Sequence, residues 1–543
     1  MSNLSFFSLQ LPYPEKKLSA VTQWCTGNMP FILMVVLTFL SISFFIHYYQ
    51  NTLGLAYNDA RSHLDIGRRV VEGLKPGLAQ LGSVWLPLTH LLMMPTIWND
   101  FMWHSGLSGA IQSMISYVAT GLTIYYLLKL LNVGLFGRIF GVAVFALNLN
   151  ILYLQSTAMT ELFLLGTMTI GVYELAKWYQ DDTKILHLIK AAVWVMLSTL
   201  IRYDGWFLLF VSAMLVASKG FQKKGYKMAE GLFILYVTLA GLGVVLWILW
   251  NWAIFKDPLY FVFGPYSAYQ QQLQLEDAGV LATKQNLWLS IKFYWYALIY
   301  NSGALPVVFG TLGAIVLWLD KTITTRIKVV LISLLAPLIF NILALYVGHS
   351  VLFVQGLSGT TWFNIRYGIM MLPSIAVFAG YLVHKWRAVR PLLVGMFIFV
   401  TIFQFLNHDA VTIDDGRVGS SQKNVSQVSN WLKENASNKE GFVLIAAASH
   451  DAIIFSSGLP MTKFIHEGTG TYWETATASP DRWARWIVMR TNDINDSTFK
   501  SIRSTDWQSQ YDLVQNFPFA DIYQIKDEYI QNLNTQPILK KQR

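Results

Sequence analysis

The feature that most limits the fold of this chain is a series of apolar stretches, each close to the length of a membrane crossing. A transmembrane helix needs about 20 mainly apolar residues. By that criterion the sequence predicts spans near 30–49, 105–130, 138–156, 159–177, 186–201, 204–218, 229–255, 298–319, 327–347, 366–384 and 391–408, about eleven in all. Only 13% of the 543 residues are charged and 54% are hydrophobic, whereas soluble domains average roughly 25% charged. An ordinary soluble enzyme is therefore excluded. The net charge of +9 is not the mark of a nucleic-acid binder, because many of the basic residues form short clusters between spans. Cys25 is the single cysteine, which rules out an intrachain disulfide, a cysteine zinc cluster and a CxxC redox site.

Those basic clusters set the expected topology. With Lys16 and Lys17 on the cytoplasmic side, alternate loops carry Lys129 and Arg138; Lys177, Lys184 and Lys190; Lys219, Lys223, Lys224 and Lys227; Lys321, Arg326 and Lys328; and Lys385, Arg387 and Arg390. All fall on the side of the N-terminus. The outer side then receives the 50–104 loop, Gln155 to Glu161, Arg202-Tyr203-Asp204, the 256–297 loop, the 348–365 loop and everything after 408. The rule holds only if 186–218 is a hairpin of two short spans that turns at Arg202-Tyr203-Asp204. The first span is too long for a signal-peptide core and lacks a small-residue cleavage site, so it reads as a retained helix. The expectation is an integral, multi-pass protein, in the plasma membrane of a prokaryote.

The outer segments differ in character. Residues 57–95 contain two Asp, one Glu, three Arg, one Lys and two His. Asp59, His63, Ile66 or Gly67, and Val70 share a stripe at helical spacing, and Asp65 stands at i,i+3 or i,i+4 from Arg61, Arg68 and Arg69. The stretch reads as an amphipathic helix lying at the membrane interface, stopped by Gly73, Pro76 and Gly77. The aromatic- and glutamine-rich 256–297 loop reads as a lid or second surface helix. Beyond 408, apolar runs such as Phe442 to Ala446 and Trp486 to Met489 alternate with helical stretches, which predicts a small α/β domain. The fold class is thus mainly α: a polytopic helical membrane bundle over 1–408 with a small extracytoplasmic C-terminal α/β domain over 409–543.

Ionisable groups at the rim of a membrane bundle are costly, which makes them functional candidates. Here they are Asp59, His63, Asp65, Glu161, Arg202, Asp204, His349 and Arg366. Each has a structural competitor. Asp59 suits a helix cap, Asp65 suits an ion pair with Arg61 or Arg69, and Glu161 suits a helix N-terminus. His63 suits an exposed helix face, and Arg366 suits a side chain that snorkels to headgroups.

Several motifs in combination resemble the GT-C superfamily of integral membrane glycosyltransferases, and most of all its protein O-mannosyltransferase and aminoarabinose-transferase branch. Asn58-Asp59-Ala60 leading into Leu64-Asp65-Ile66-Gly67-Arg68 resembles the acidic motif of the first loop. Thr160-Glu161-Leu162 resembles the acidic residue that opens the fourth helix. Ile201-Arg202-Tyr203-Asp204-Gly205 resembles the turn between two short helices. Phe255-Lys256-Asp257-Pro258 resembles the exit from the seventh helix, and Arg366-Tyr367-Gly368 with Leu372-Pro373 resembles the arginine–tyrosine helix. These motifs cover about 60–380.

The resemblance implies an inverting transfer of a sugar, a hexose such as mannose or a pentose, from a polyprenyl-phosphate donor to a protein, lipid or glycan acceptor on the outer face. Asp59 would accept the proton of the incoming group, and Arg202 and Arg366 would hold the departing phosphate. His63, Asp65, Glu161, Asp204 and Tyr367 would support them. One departure stands out: where relatives carry a basic residue before Pro-Pro-Leu, this chain has Trp85-Leu86-Pro87-Leu88. Either the phosphate contact falls to Arg202, Arg366 or His90, or the donor differs. Some members of the superfamily use Mg²⁺ or Mn²⁺ on carboxylates, for which Asp59 and Glu161 are the candidates. The alternative reading is a transporter or flippase for a lipid-linked sugar, which calls for midplane charges, broken helices and a repeat.

Overall fold

A computed structural model describes residue 24 and residues 26–536, apart from 266, 278 and 420–424. Lys16, Lys17 and Cys25 lie outside the described residues. Among the described residues six helices are long and apolar enough to cross a membrane: Met29–Gln50, Leu107–Leu130, Asp204–Gln222, Thr325–Tyr346, Ile365–Lys385 and Arg390–Val418. Two bent pairs bring the number to eight if each pair is one span. The expected eleven are therefore not all of one kind. The 138–156 span is two pieces, Leu135–Ala146 and Leu149–Leu154, divided where the Asn148 side chain caps the second by accepting from Ile151 N. The 186–218 stretch is the hairpin that the charge pattern calls for, with helices Ile185–Thr199 and Asp204–Lys224.

The 298–319 span needs correction. The helix begins earlier, at Leu287, and ends at Ser302. Gly303 (φ +82°) then turns the chain, and Ala304–Leu319 leaves at 110°. Continuous hydropathy across a left-handed glycine hid a break between two helices.

The basic loops gather at one end of the bundle. Gly134 N donates to His384 Nδ1 at 3.2 Å, Lys385 pairs with Asp320, and Lys328 Nζ donates to the Trp318 carbonyl at 2.8 Å. Leu130, Asn132, Tyr179, Gln180, Thr322 and Arg326 line a cleft there. The opposite end carries the polar segments. The Asn58–Val71 helix forms as its spacing predicts, but Ala60, His63, Leu64, Asp65, Gly67, Arg68 and Val70 are all buried. Protein covers it from both sides.

One side of this cover is the C-terminal unit, built on a five-stranded sheet. Its strands are β1 (Phe442–Ile445), β2 (Phe464–Ile465), β3 (Ala484–Met489), β4 (Tyr511–Asn516) and β5 (Asp521–Ile525), in the order β2-β1-β3-β5-β4. The β2-β1-β3 part is parallel and the β3-β5-β4 part antiparallel. The parallel strands are buried apolar runs joined through helices, as such strands require. Glu467 caps the helix Ala447–Ser457 by accepting from Ala447 N and Ala448 N at 2.8 and 2.7 Å.

That helix docks on Asn58–Val71 through Arg69, which pairs with Asp451 at 3.0 Å with both side chains largely buried. Glu72 Oε1 accepts from Met461 N, and Gln80 Nε2 donates to the Gly468 carbonyl. On the other side Arg68 donates to the Ile97 carbonyl and Asp100 at 2.8 and 2.6 Å, with its guanidinium 4.6 Å from the centre of the Trp103 ring. Asp65 accepts from Trp103 Nε1 at 3.0 Å rather than pairing with an arginine of its own helix. Burial, with Asp451 nearby, pushes its carboxyl well above the usual range, and burial pushes Asp451 up to about 6.

Arg69 is thus the cation that makes two buried carboxylates tolerable. Arg69→Met is expected to cost about 3–5 kcal/mol, the range for breaking a buried ion pair. Raised carboxyl pKa values mean the folded state holds protons that the unfolded state has lost, so stability falls as pH rises from about 4 to about 6. The variant's loss is therefore expected to be largest at neutral pH and smaller near pH 5. Thermal melting in detergent at the two pH values measures it.

Candidate active site

At the polar end of the bundle four distant segments meet on one guanidinium. Arg366 is only 3% exposed. Its Nε donates to Glu161 Oε1 at 3.0 Å and its NH2 to Asp59 Oδ2 at 2.6 Å. NH1 stands 3.9 Å from Asp415 Oδ2. Arg202 approaches from the hairpin turn, with NH1 3.3 Å from Glu161 Oε1 and Nε 3.2 Å from Asp204 Oδ2. The Tyr367 ring lies 5.1 Å from the Arg202 guanidinium and 5.4 Å from that of Arg366, and the Tyr57 ring lies 4.9 Å from Arg366. Four carboxylates and two tyrosines thus surround two arginines. Asp59 is the most open of the carboxylates, its side chain 32% exposed against 0% for Glu161 and Asp415.

Local backbone geometry explains why these side chains converge. Arg366 and Tyr367 sit on a 3₁₀ segment, Ile365–Met371, that follows Asn364 in the left-handed region (φ +54°). The segment runs hard against the Leu287–Ser302 helix: Asn301 Nδ2 donates to the Ile365 carbonyl at 2.6 Å. A Cβ on Gly368 would lie 2.2 Å from the Ala297 carbonyl oxygen, so only glycine permits this approach. Gly205 plays the same part at the hairpin, where a Cβ would come within 2.3 Å of the Ser198 carbonyl oxygen. The glycines of Arg366-Tyr367-Gly368 and Arg202-Tyr203-Asp204-Gly205 let the backbone carry its arginine into the cluster.

Of the residues singled out from sequence, Asp59, Glu161, Arg202, Asp204, Arg366 and Tyr367 come together. Asp59 does not cap its helix, since no side-chain cap bond forms there and its carboxylate is turned to Arg366. Glu161 opens its helix but spends one oxygen on both arginines. Arg366 does not reach for headgroups. Asp65 points away, to Trp103. His349 also lies apart, bonded to Gln272 at 3.0 Å.

His63 and His90 form a buried pair, Nδ1 to Nε2 at 2.9 Å, with Trp85 against the His63 ring. Burial, with Arg366 and Arg202 nearby, pulls His63 down to about 3, and burial beside His63 pulls His90 well below its ordinary value. Burial thus disfavours the charged form of both rings. Sequence reasoning missed Tyr57 and Asp415. The signal for Tyr57 was its place beside Asn58-Asp59. Asp415 had none, because Asp414-Asp415 lies in a polar stretch where acids are ordinary.

The donor set does not make a metal cage. Asp59 and Glu161 face the Arg366 guanidinium, itself a cation. Among the described residues no group of three or more His, Cys, Asp or Glu side chains converges as a metal site. No step is assigned to Mg²⁺ or Mn²⁺.

No protein family's sequence profile matches the chain, and no curated protein matches it in sequence. Its fold does match solved structures. ArnT from Cupriavidus metallidurans in the apo state superposes with a TM-score of 0.53 at 11% identity, covering 94% of this chain and 99% of that one. The same protein bound to undecaprenyl phosphate gives 0.52 at 9%, covering 90% and 98%. The archaeal oligosaccharyltransferase AglB from Archaeoglobus fulgidus, in complex with an inhibitory peptide and a dolichol-phosphate, gives 0.47 at 11%, covering 86% and 70%. At these identities the likeness is one of fold. The chain has the fold of ArnT, and among its described residues six to eight helical spans are long and apolar enough to cross a membrane.

Glu161 is the carboxylate on which both arginines depend. Glu161→Gln keeps the shape and removes the charge, which leaves one buried and one part-buried guanidinium under-compensated. A loss of about 3 kcal/mol is expected, and thermal melting of the purified variant reads it.

Proposed function

We propose that this protein is an inverting glycosyltransferase that moves a sugar from a polyprenyl-phosphate donor to an acceptor on the outer membrane face. One observation carries the reading: at the mouth of a GT-C bundle, Arg366 holds the part-exposed Asp59 carboxylate at 2.6 Å while a second arginine, Arg202, stands on the shared Glu161. Asp59 is the base. The acceptor's hydroxyl or amide attacks the anomeric carbon and gives its proton to Asp59. The bond from that carbon to the phosphate oxygen breaks, and its electron pair leaves with the polyprenyl phosphate. Arg366 and Arg202 stabilise the departing anion, a role worth about 10²–10³ in rate where such donors are preorganised.

The Arg366–Asp59 pair has a consequence for order of events. A donor phosphate competes with Asp59 for the same guanidinium edge. As it binds, it releases the carboxylate to serve as base. A lipid donor suits this depth, because its phosphate stays at the headgroup level while its chain lies in the bilayer. His63 and His90, neutral and hydrogen-bonded, shape the pocket wall. A hexose such as mannose is the sugar to test first.

The same proposal places the basic-loop end and the N-terminus in the cytoplasm of a prokaryote, and the site and C-terminal unit outside. It divides the chain into a membrane unit, 1–408, and an extracytoplasmic α/β unit, 409–543.

In nanodiscs, a panel of polyprenyl-phosphate sugars is expected to yield free polyprenyl phosphate with at least one donor. Asp59→Asn is expected to lower that turnover by about 10²–10⁴-fold, the range for loss of a general base, with folding kept. Because the two histidines stay neutral, His90→Gln is expected to leave the pH profile between 6 and 8 unchanged. Absence of release from every donor, joined to transbilayer flux of an intact one, would replace the enzyme by a transporter.

A further inference from the structure

Two of the three Arg366 nitrogens are satisfied. NH1 is buried and makes no hydrogen bond, and it stands 3.9 Å from Asp415 Oδ2. Asp415 is fully buried. Its Oδ2 accepts from the Tyr57 hydroxyl at 3.0 Å, and its Oδ1 has no hydrogen-bond partner. The Tyr57 ring lies over the same guanidinium, 4.9 Å from it. Buried polar groups left without partners are costly, and here the unpaired NH1 faces the Tyr57-bonded Oδ2 across a gap just too long for a hydrogen bond.

The carboxylate is held firmly. It belongs to a short helix, Val411–Val418, that follows the last apolar helix and turns back into the bundle mouth. Thr412 N and Oγ1 both donate to Asn150 Oδ1, at 3.0 and 2.8 Å. Gly416 packs so closely that a Cβ there would lie 3.1 Å from the Tyr153 hydroxyl and 3.3 Å from the Tyr57 ring.

We propose that Asp415 is a positioning residue for Arg366, fixing the guanidinium in the donor-phosphate site. The inference rests on the polyprenyl-phosphate reading above. Asp59 and the incoming phosphate compete for one edge of Arg366. When Asp59 lets go, the guanidinium needs a fixed counter-charge on the edge that points away from solvent. Glu161 and Asp415 each keep one oxygen without a partner, but Glu161 serves the Nε edge and Arg202, and it is Asp415 that stands opposite the unpaired NH1. A short closing movement joins NH1 to Asp415, and Tyr57 keeps the carboxylate aimed. Arg366 then faces the phosphate and does not follow Asp59 outward. A carboxylate that merely anchored the 411–418 helix would affect stability without any coupling to Arg366.

The test uses the full chain in nanodiscs and undecaprenyl phosphate alone as probe. Binding and melting temperature are measured for wild type, Asp415→Asn, Asp415→Glu, Tyr57→Phe, Arg366→Gln and the Asp415→Asn/Arg366→Gln double variant. Asp415→Asn is expected to weaken binding about tenfold, and Tyr57→Phe about threefold in the same direction. Asp415→Glu is expected to stay near wild type, because a hydrogen bond needs about 2.9 Å and one added methylene closes the gap. The double variant is expected to bind no worse than Arg366→Gln alone, the non-additivity of residues that act as a unit. Binding by Asp415→Asn close to wild type, or a loss that adds in full to that of Arg366→Gln, overturns the proposal. If Asp415→Asn does not fold, Tyr57→Phe and its double with Arg366→Gln decide by the same two criteria. A wild-type protein that binds no undecaprenyl phosphate overturns the donor reading itself.

Discussion

A guanidinium cannot be taken out of water unless something nearby replaces the water. Arg366 is 3% exposed at the mouth of an apolar bundle, and the cost of burying such a charge is several kcal/mol before pairing is counted. Its partners come from the first polar loop (Tyr57 and Asp59), from the start of the Glu161–Gln180 helix, and from the segment beyond the last apolar helix (Asp415). Segments as far apart as 57 and 415 are therefore tied to one side chain. The break between the Leu287–Ser302 and Ala304–Leu319 helices, the tight Gly368 contact and the left-handed Asn364 all serve to bring the Arg366 backbone to that point.

The sign of the cluster matters as much as its position. Asp59, Glu161, Asp204 and Asp415 face two arginines, so the resting site leans negative. A phosphate entering it must displace a carboxylate, and the one with the least burial yields most readily. That is Asp59, the residue placed to act once freed. The proposed site holds its base with the same group that binds the donor. In a low-dielectric pocket this exchange is strong in both directions, which ties proton acceptance to donor occupancy without a moving loop.

Much of this was legible before any coordinates. Ionisable residues that interrupt or flank apolar spans are rare and expensive, and this alone picked out Asp59, Glu161, Arg202, Asp204 and Arg366. The hairpin at Arg202 was legible because a charge rule fails without it. What stayed hidden depended on tertiary partners. The i,i+4 spacing of Asp65 and Arg69 suggested a local ion pair, but Trp103 and Asp451 compete from other segments and win. The break at Gly303 lay inside unbroken hydropathy, where a 3.6-residue pattern carries no mark of a bend. Asp415 stood in a stretch so polar that its complete burial had no counterpart in composition.

The boundary after residue 408 is where composition changes, and the first helix beyond it still packs on the bundle. His408 is in the left-handed region (φ +52°), and the Val411–Val418 helix that follows returns to the bundle, pinned by Asn150 and packed on Tyr57 and Tyr153. Only after it does the chain enter the sheet-containing unit, which then grips the Asn58–Val71 helix through Arg69 and Asp451. The C-terminal part therefore touches Arg366's surroundings twice: covalently through the segment bearing Asp415, and by docking on the helix that begins beside Asp59. Any displacement of the sheet unit relative to the bundle would pull on both carboxylates at once. Its docking, with two buried carboxylates around one arginine, is strong enough to hold that geometry. That gives a physical reason for an α/β unit to stay docked beside the bundle mouth, where the proposed chemistry lies.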